Sequence, residues 1–457
     1  MNQFSTNHWA NQSIFYHIYP LGFCGAPARN DFAAPAVARL QKVSEWLPHI
    51  RELGANALCL GPLFESSAHG YDTADYYHVD RRLGTDGSLS HLAAEIHKQG
   101  MRLILDGVFN HVGRDFWAFR DVREHLGQSA YTGWFQNLNF NGHSPFGDPF
   151  SYEGWAGNYD LVKLDLRNPD VKTHLFGAIR SWVERFDIDG LRLDAADCLD
   201  LSFLDELHEF VHPLKADFWL LGEIVGGDYR TWARPGRLDS ITNYEVYKGL
   251  YSSLADKNYF EIAYSLRRQF GAEGIYRGLP LYAFADNHDV NRVASNLPDP
   301  ALLFPLYCLL FTLPGVPSIY YGSEWGITGK RTQFSDSALR PCLELEEMRR
   351  LPPCPDLEGV IQRLAGLRLR SEALCYGDYA QVLVNHEQFA FLRESNHERV
   401  LVVLNASPTP ANLDLDLPYP ASRAVDLLNQ DEVFQINGNR LSLRDLPPRW
   451  ARILRLE

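Results

Sequence analysis

Residues 168–194 read NPDVKTHLFGAIRSWVERFDIDGLRLD, and this stretch decides the fold. Asn168-Pro169-Asp170 is a helix start: a capping side chain, a proline tolerated in the first turn, and an acid at the positive end. Leu175, Ile179, Trp182, Val183 and Phe186 then recur at helical spacing. Gly190–Leu193 follows as a short strand. It ends on a carboxylate, Asp194, which shares a side of the strand with Arg192 because they stand at i and i+2.

The same rhythm extends in both directions. Ile14–Tyr19, Ala57–Leu60, Arg102–Leu105, Phe218–Leu221, Leu281–Phe284 and Ser318–Tyr321 are short runs, most of them apolar on both faces, as covered parallel strands are. Leu92 and Ile96 mark a helix ended by Gly100, and Ser202 with Asp205 caps another that carries Phe203, Leu207 and Val211. Alternation over about residues 13–370 predicts a (β/α)8 TIM barrel, with a doubly wound sheet as the alternative. Residues 112–166 break the rhythm and are too long for an ordinary loop, so they are expected to form an inserted subdomain after strand 3. Beyond residue 371, Gln381–Val384, Phe389–Arg393, Val400–Asn405 and the hairpin signal Asn437-Gly438 predict a C-terminal antiparallel β-sandwich. The expected division is 1–111 and 167–370 for the barrel, 112–166 for the insertion and 371–457 for the terminal domain.

Composition narrows the function. With 43 Lys+Arg against 57 Asp+Glu in 457 residues, the net charge is −14. That balance argues against nucleic acid or an anionic membrane as partner. The most apolar run, Ala301–Leu313, is too short to span a bilayer. The N-terminal stretch lacks a basic, apolar leader, which predicts a cytoplasmic protein. Seven cysteines without a CxxC pair fit thiols in a reducing compartment. Aromatic residues are 13%, and Tyr71, Trp134, Phe135, Tyr152 and Trp155 are expected near a ligand-binding face.

Four segments place polar groups at the C-terminal ends of strands, the reactive face of such a barrel. They are Asp106–His111, Gly190–Asp194, Gly222–Ile224 and Phe284–Asp289. Taken singly, each acid reads as a solvated loop residue or helix cap, and His111 or His288 as a structural histidine. Four such segments at successive strand ends read as a site. A guanidinium at Arg192 favours an ionised Asp194, and the apolar run before Glu223 favours a protonated acid there. Paired carboxylates of that kind suit glycoside hydrolysis.

These segments, in this order, resemble the four short regions of the α-amylase family (glycoside hydrolase family 13). Gly70–Tyr76 resembles the segment whose Tyr stacks on the sugar, Gly315–Gly322 with Glu324 the eighth barrel strand, and Leu164–Pro169 the end of the inserted domain. The resemblance implies Asp194 as nucleophile, Glu223 as general acid/base and Asp289 as the carboxylate that holds sugar hydroxyls. It implies Arg192 orienting Asp194, His111, His288 and Tyr71 on the sugar, Asp106 as support behind them, and Arg292 holding the Asp289 loop. It implies retention of anomeric configuration and no required cofactor. Asn110 matches a frequent calcium ligand of the family, but one ligand does not define a calcium site, so no metal residue is assigned.

Ala68 and His69 before the stacking Tyr are closer to the cyclomaltodextrinase, neopullulanase and intracellular α-amylase branch than to α-glucosidases. That branch usually carries an N-terminal domain that assists dimerisation; none is expected here, so a homodimer would need another interface. Asp197 and Cys198 replace a Lys-His pair frequent in family α-amylases. His208–His212 matches HExxH, but Phe210 and Val211 fit a buried helical stripe ended by Pro213, which outweighs a zinc peptidase. The expected function is retaining hydrolysis of α-1,4 bonds in maltooligosaccharides or cyclic maltodextrins. The alternatives are a related transglycosylase, phosphorylase or sucrose-active enzyme, and a non-catalytic barrel subunit, which the three intact carboxylates disfavour.

Overall fold

The computed structural model describes residues 8–457. Residues 1–7, part of the stretch read as lacking a leader, lie outside the described residues.

Eight parallel strands form one sheet: β1 (Phe15–Ile18), β2 (Ala57–Leu60), β3 (Arg102–Gly107), β4 (Gly190–Leu193), β5 (Trp219–Gly222), β6 (Ser240–Ile241), β7 (Tyr282–Phe284) and β8 (Val316–Tyr320). Each pairs with its neighbours in the sequence, and β8 returns to pair with β1. A parallel bridge between Thr242 and Tyr282 joins β6 to β7 and closes the circle. Strand β6 was not expected, because two residues in Leu-Asp-Ser-Ile-Thr carry no apolar run.

Alternation along the strands separates two cores. Phe15, Ala57, Cys59, Ile104, Trp219, Leu221, Tyr282, Phe284 and Val316 fill the barrel interior, with Phe15 stacked on Trp219 at 5.1 Å. The intervening residues, such as Tyr16, Leu58, Leu103, Leu105, Leu191 and Leu193, face the helices. Register therefore decides which groups meet inside. Asp106 stands opposite Arg192 across β3 and β4, and Leu193 stands opposite Gly222 across β4 and β5. The residues that follow, Asp194 and Glu223, leave the barrel side by side.

The covering helices include α1 (Gln41–Glu52), α2 (Asp86–Lys98), α3 (Pro169–Phe186), α4 (Leu201–Val211), α5 (Tyr244–Ala255), α6 (Tyr259–Phe270), α7 (Leu303–Thr312) and α8 (Leu357–Arg370). Asn168 caps α3 by accepting from the Asp170 N–H, a contact worth about 1 kcal/mol. In α4 the cap is Asp200, which accepts from the Ser202 N–H; Ser202 itself lies inside the first turn, a correction of the expected start.

The chain between β3 and α3 folds into a three-stranded antiparallel sheet of His111–Gly113, Gly154–Trp155 and Asn158–Lys163, with a helix at Trp117–His125. Beyond α8, eight antiparallel strands between Asp378 and Leu456 form the terminal domain. Ala390, Leu392, Leu401, Val403 and Leu454 share one apolar cluster with Leu413, Leu415, Leu441 and Leu443. Phe389, Phe391, Val400 and Val402 on the other face join the barrel core.

A buried polar knot ties the helices to the barrel. Glu324 accepts from the Tyr16 hydroxyl at 2.6 Å and pairs with His49 of α1 at 3.0 Å, while the other His49 nitrogen lies 3.4 Å from Glu358 of α8. Burial opposes a charge on His49, but Glu324 and Glu358 prevail and raise its pKa from 6.5 to about 9. The folded state then binds the proton more tightly. The stabilisation is complete below pH 6.5 and is lost as pH rises through about 9. The melting temperature of the wild type should fall across that window, and His49→Gln should be less stable below it and lack this decline.

Candidate active site

The β-strand register brings one guanidinium into contact with three carboxylates. Arg192 Nη1 donates to both Asp106 oxygens, at 2.6 and 2.7 Å. Its Nη2 lies 2.6 Å from Glu223 Oε2, and Nη1 lies 3.7 Å from Asp194 Oδ1. All four side chains are nearly buried. The Tyr244 hydroxyl, at the start of α5, donates to the other Glu223 oxygen at 2.8 Å.

A second group closes on the first from β7. Tyr71 donates to Asp106 at 3.0 Å, contacts His288 through its hydroxyl, and lies parallel to the His288 ring with centroids 5.4 Å apart. Tyr19 stacks on His288 at 5.7 Å. His288 Nε2 lies 2.9 Å from Asp289 Oδ2, and Arg340 donates to the His288 carbonyl and to Asp289 Oδ1, at 3.0 and 3.1 Å.

The insertion contributes a wall. His111 begins its first strand, lies 3.9 Å from Asp194, and stacks on Trp155 at 5.4 Å. Burial lowers the His111 pKa to about 3, so the ring is neutral, and its Nε2 is buried with no hydrogen-bond partner among the described residues. A neutral imidazole beside a carboxylate is available to hydrogen-bond a hydroxylated ligand.

Charges here are tuned in opposite directions. Burial pushes the Asp194 carboxyl well above its usual range; Arg192 opposes this, and Glu223, Asp106 and Asp289 add to it. Burial would also raise Asp289, but His288 and Arg340 hold it well below the usual carboxylate range. Arg192 lies closer to Glu223 than to Asp194.

Asp194, Glu223, Asp289, Asp106, Arg192, Tyr71, His111 and His288 thus converge. Arg292 does not reach the cleft. Its guanidinium is fully buried, donates to the Tyr321 carbonyl at 2.7 Å and lies 4.0 Å from the Tyr320 ring centroid. The nearer cation on Asp289 is Arg340, at 3.1 Å against 3.7 Å for Arg331, and it sits in irregular chain with no periodic signal. Tyr244 was missed because it follows the unrecognised β6. Of the aromatics expected near ligand, Tyr71 and Trp155 are at the site. Trp134 packs among Trp117, Tyr131 and His174, and Phe135 and Tyr152 pack on Phe119, inside the insertion.

Residues 17–349 match the family described as "Alpha amylase, catalytic domain", and residues 380–453 match "Maltogenic Amylase, C-terminal domain". The chain belongs to the α-amylase family and is a glycoside hydrolase of that family, related to cyclomaltodextrinases and maltogenic amylases. It is 31% identical over 418 residues to a cyclomaltodextrinase of Bacillus sp, covering 87% of this chain and 73% of that one. It is 32% identical to neopullulanase 2 of Thermoactinomyces vulgaris, covering 96% and 77%. The ligand-free structure of cyclic α-maltosyl-(1→6)-maltose hydrolase from Arthrobacter globiformis superposes with a TM-score of 0.80 at 27% identity, covering 98% of this chain and 100% of that chain.

A carboxyl raised by burial destabilises the fold above the ordinary aspartate pKa, and the penalty vanishes as pH falls below it. Asp194→Asn removes the penalty. Its melting temperature at pH 7 should exceed the wild type's by a few degrees, and the gap should shrink toward pH 4 in calorimetry at both values.

Proposed function

We propose that the protein cleaves α-1,4-glucosidic bonds of maltooligosaccharides or cyclic maltodextrins with retention of anomeric configuration. The observation that carries this reading is the convergence of Asp194 and Glu223 on the two ends of the Arg192 guanidinium. Retention needs one carboxylate to attack the anomeric carbon and an acid to protonate the departing oxygen, with the carboxyls roughly 5–5.5 Å apart.

Asp194 attacks and Glu223 protonates the leaving oxygen, then deprotonates the water that hydrolyses the glycosyl-enzyme. For this Glu223 must carry the proton and Asp194 the charge, which the Arg192 guanidinium 3.7 Å away favours. Asp106 holds Arg192 Nη1 from behind and keeps the guanidinium between the two acids. Asp289, kept ionised by His288 and Arg340, accepts sugar hydroxyls and favours the positively charged ring of the transition state. Tyr71 supplies an aromatic face, and His111 a neutral donor or acceptor.

Relatives named for cyclic substrates support the substrate class. Glu223→Gln and Asp194→Asn should each lower hydrolysis of maltoheptaose and of a cyclodextrin by at least about 10³-fold. Nuclear magnetic resonance during early turnover should show the α-anomer of the new reducing end first. Near-wild-type turnover in either variant, or first appearance of the β-anomer, would refute the assignment. Rapid sucrose cleavage without action on either glucan would favour the sucrose-active alternative.

A further inference from the structure

Part of the segment His208–His212 is the buried stripe expected from the sequence. Phe210 stacks on Phe176 of α3 with centroids 4.8 Å apart, and Val211 is buried. The two histidines are not used by that packing. They stand one turn apart at the C-terminal end of α4, with their rings nearly parallel and centroids 3.9 Å apart. Asp239, the residue before β6, brings a carboxylate to them. One ligand atom from each of His208, His212 and Asp239 lies within 4.8 Å of the other two. We propose that these three side chains bind one divalent transition-metal ion, Zn²⁺ by their chemistry, and that the ion ties α4 to β6.

The donor atoms are prepared for this. His212 Nδ1 lies 2.9 Å from the His208 carbonyl oxygen. A carbonyl only accepts, so Nδ1 carries the hydrogen and Nε2 keeps its lone pair. Metal-binding histidines are commonly oriented through their other nitrogen in this way. Asp239 Oδ2 accepts from the Leu220 N–H at 2.8 Å, which fixes the carboxylate and leaves Oδ1 free. Among the described residues, Asp239 forms no salt bridge. The helix C-terminus adds a partial negative charge that favours a cation.

Tetrahedral Zn²⁺ with bonds of about 2.0–2.1 Å needs its ligand atoms about 3.4 Å apart. Side-chain rotations of about 1 Å bring this set to that spacing, and water completes the shell. Two imidazoles with one carboxylate select zinc, cobalt or nickel over calcium or magnesium, which favour all-oxygen sites. The site is not a peptidase centre. Glu209, which would be the base in HExxH, is exposed and is not part of the cluster. Asp239 also precedes its strand, so the site lies at the N-terminal ends of the barrel strands, opposite Asp194 and Glu223. That is the end of a barrel associated with stability.

The test uses the untagged full chain, stripped with EDTA and dialysed. Calorimetric titration with ZnCl₂ should give one ion per chain, and binding should raise the melting temperature by several degrees. Co²⁺ in place of Zn²⁺ should give the visible absorption of a four-coordinate ion. His208→Gln and Asp239→Asn, both at half-exposed positions, should each weaken Zn²⁺ binding at least tenfold and abolish the thermal shift, while hydrolytic rate stays at the wild-type value. Absence of stoichiometric binding to the wild type would overturn the proposal, as would undiminished binding and thermal shift in the variants.

Discussion

Arg192 is a cation buried inside a barrel, held by Asp106 behind it and by Glu223 and Asp194 above it. Removing an ion from water costs several kcal/mol, and only close, well-directed partners repay that cost. Those partners come from three strands, so the pairing holds only while β3, β4 and β5 keep their register. A slip of one residue would turn Asp106 or Arg192 toward the helices and leave the remaining charge unpaired inside. The closed barrel supplies that rigidity, since a sheet joined from β8 to β1 and from β6 to β7 has no free edge along which to slide.

The cluster also separates support from chemistry. Asp106 takes two short bonds from one guanidinium nitrogen and accepts from Tyr71, which leaves little capacity for a ligand. Asp194 is bound most loosely, at 3.7 Å from Arg192, and burial opposes its charge. A carboxylate held that way is costly to ionise and reactive once ionised. Asp289 is in the opposite condition, with His288 and Arg340 both on it. Two carboxylates in one cleft are thus poised for different work by their neighbours alone.

The sequence made the fold legible where apolar period and chain punctuation coincided. The start Asn168-Pro169-Asp170 and the run Gly190–Leu193 both appear as read, and the hairpin at Asn437-Gly438 joins two paired strands. Strand β6 was illegible because its two residues are held by neighbours rather than by any pattern of their own. Its loss hid Tyr244. Residues whose role depends on irregular chain were also hidden: Arg340 reaches Asp289 from a loop, and no spacing announces that. Aromatic content guided only in part to the ligand face: Tyr71 and Trp155 reach the site, while Trp134, Phe135 and Tyr152 are buried in packing.

We propose that Asp194, the carboxylate held most loosely by Arg192, is the group that bonds to the sugar. The direct measurement is to incubate the enzyme with a fluorinated α-glycosyl fluoride, whose glycosyl-enzyme hydrolyses slowly, and to locate the label by peptide mass spectrometry. The account predicts one glycosyl unit per chain on Asp194. A label on Glu223 or Asp289, or steady release of the sugar with no labelled enzyme at any time, would contradict it.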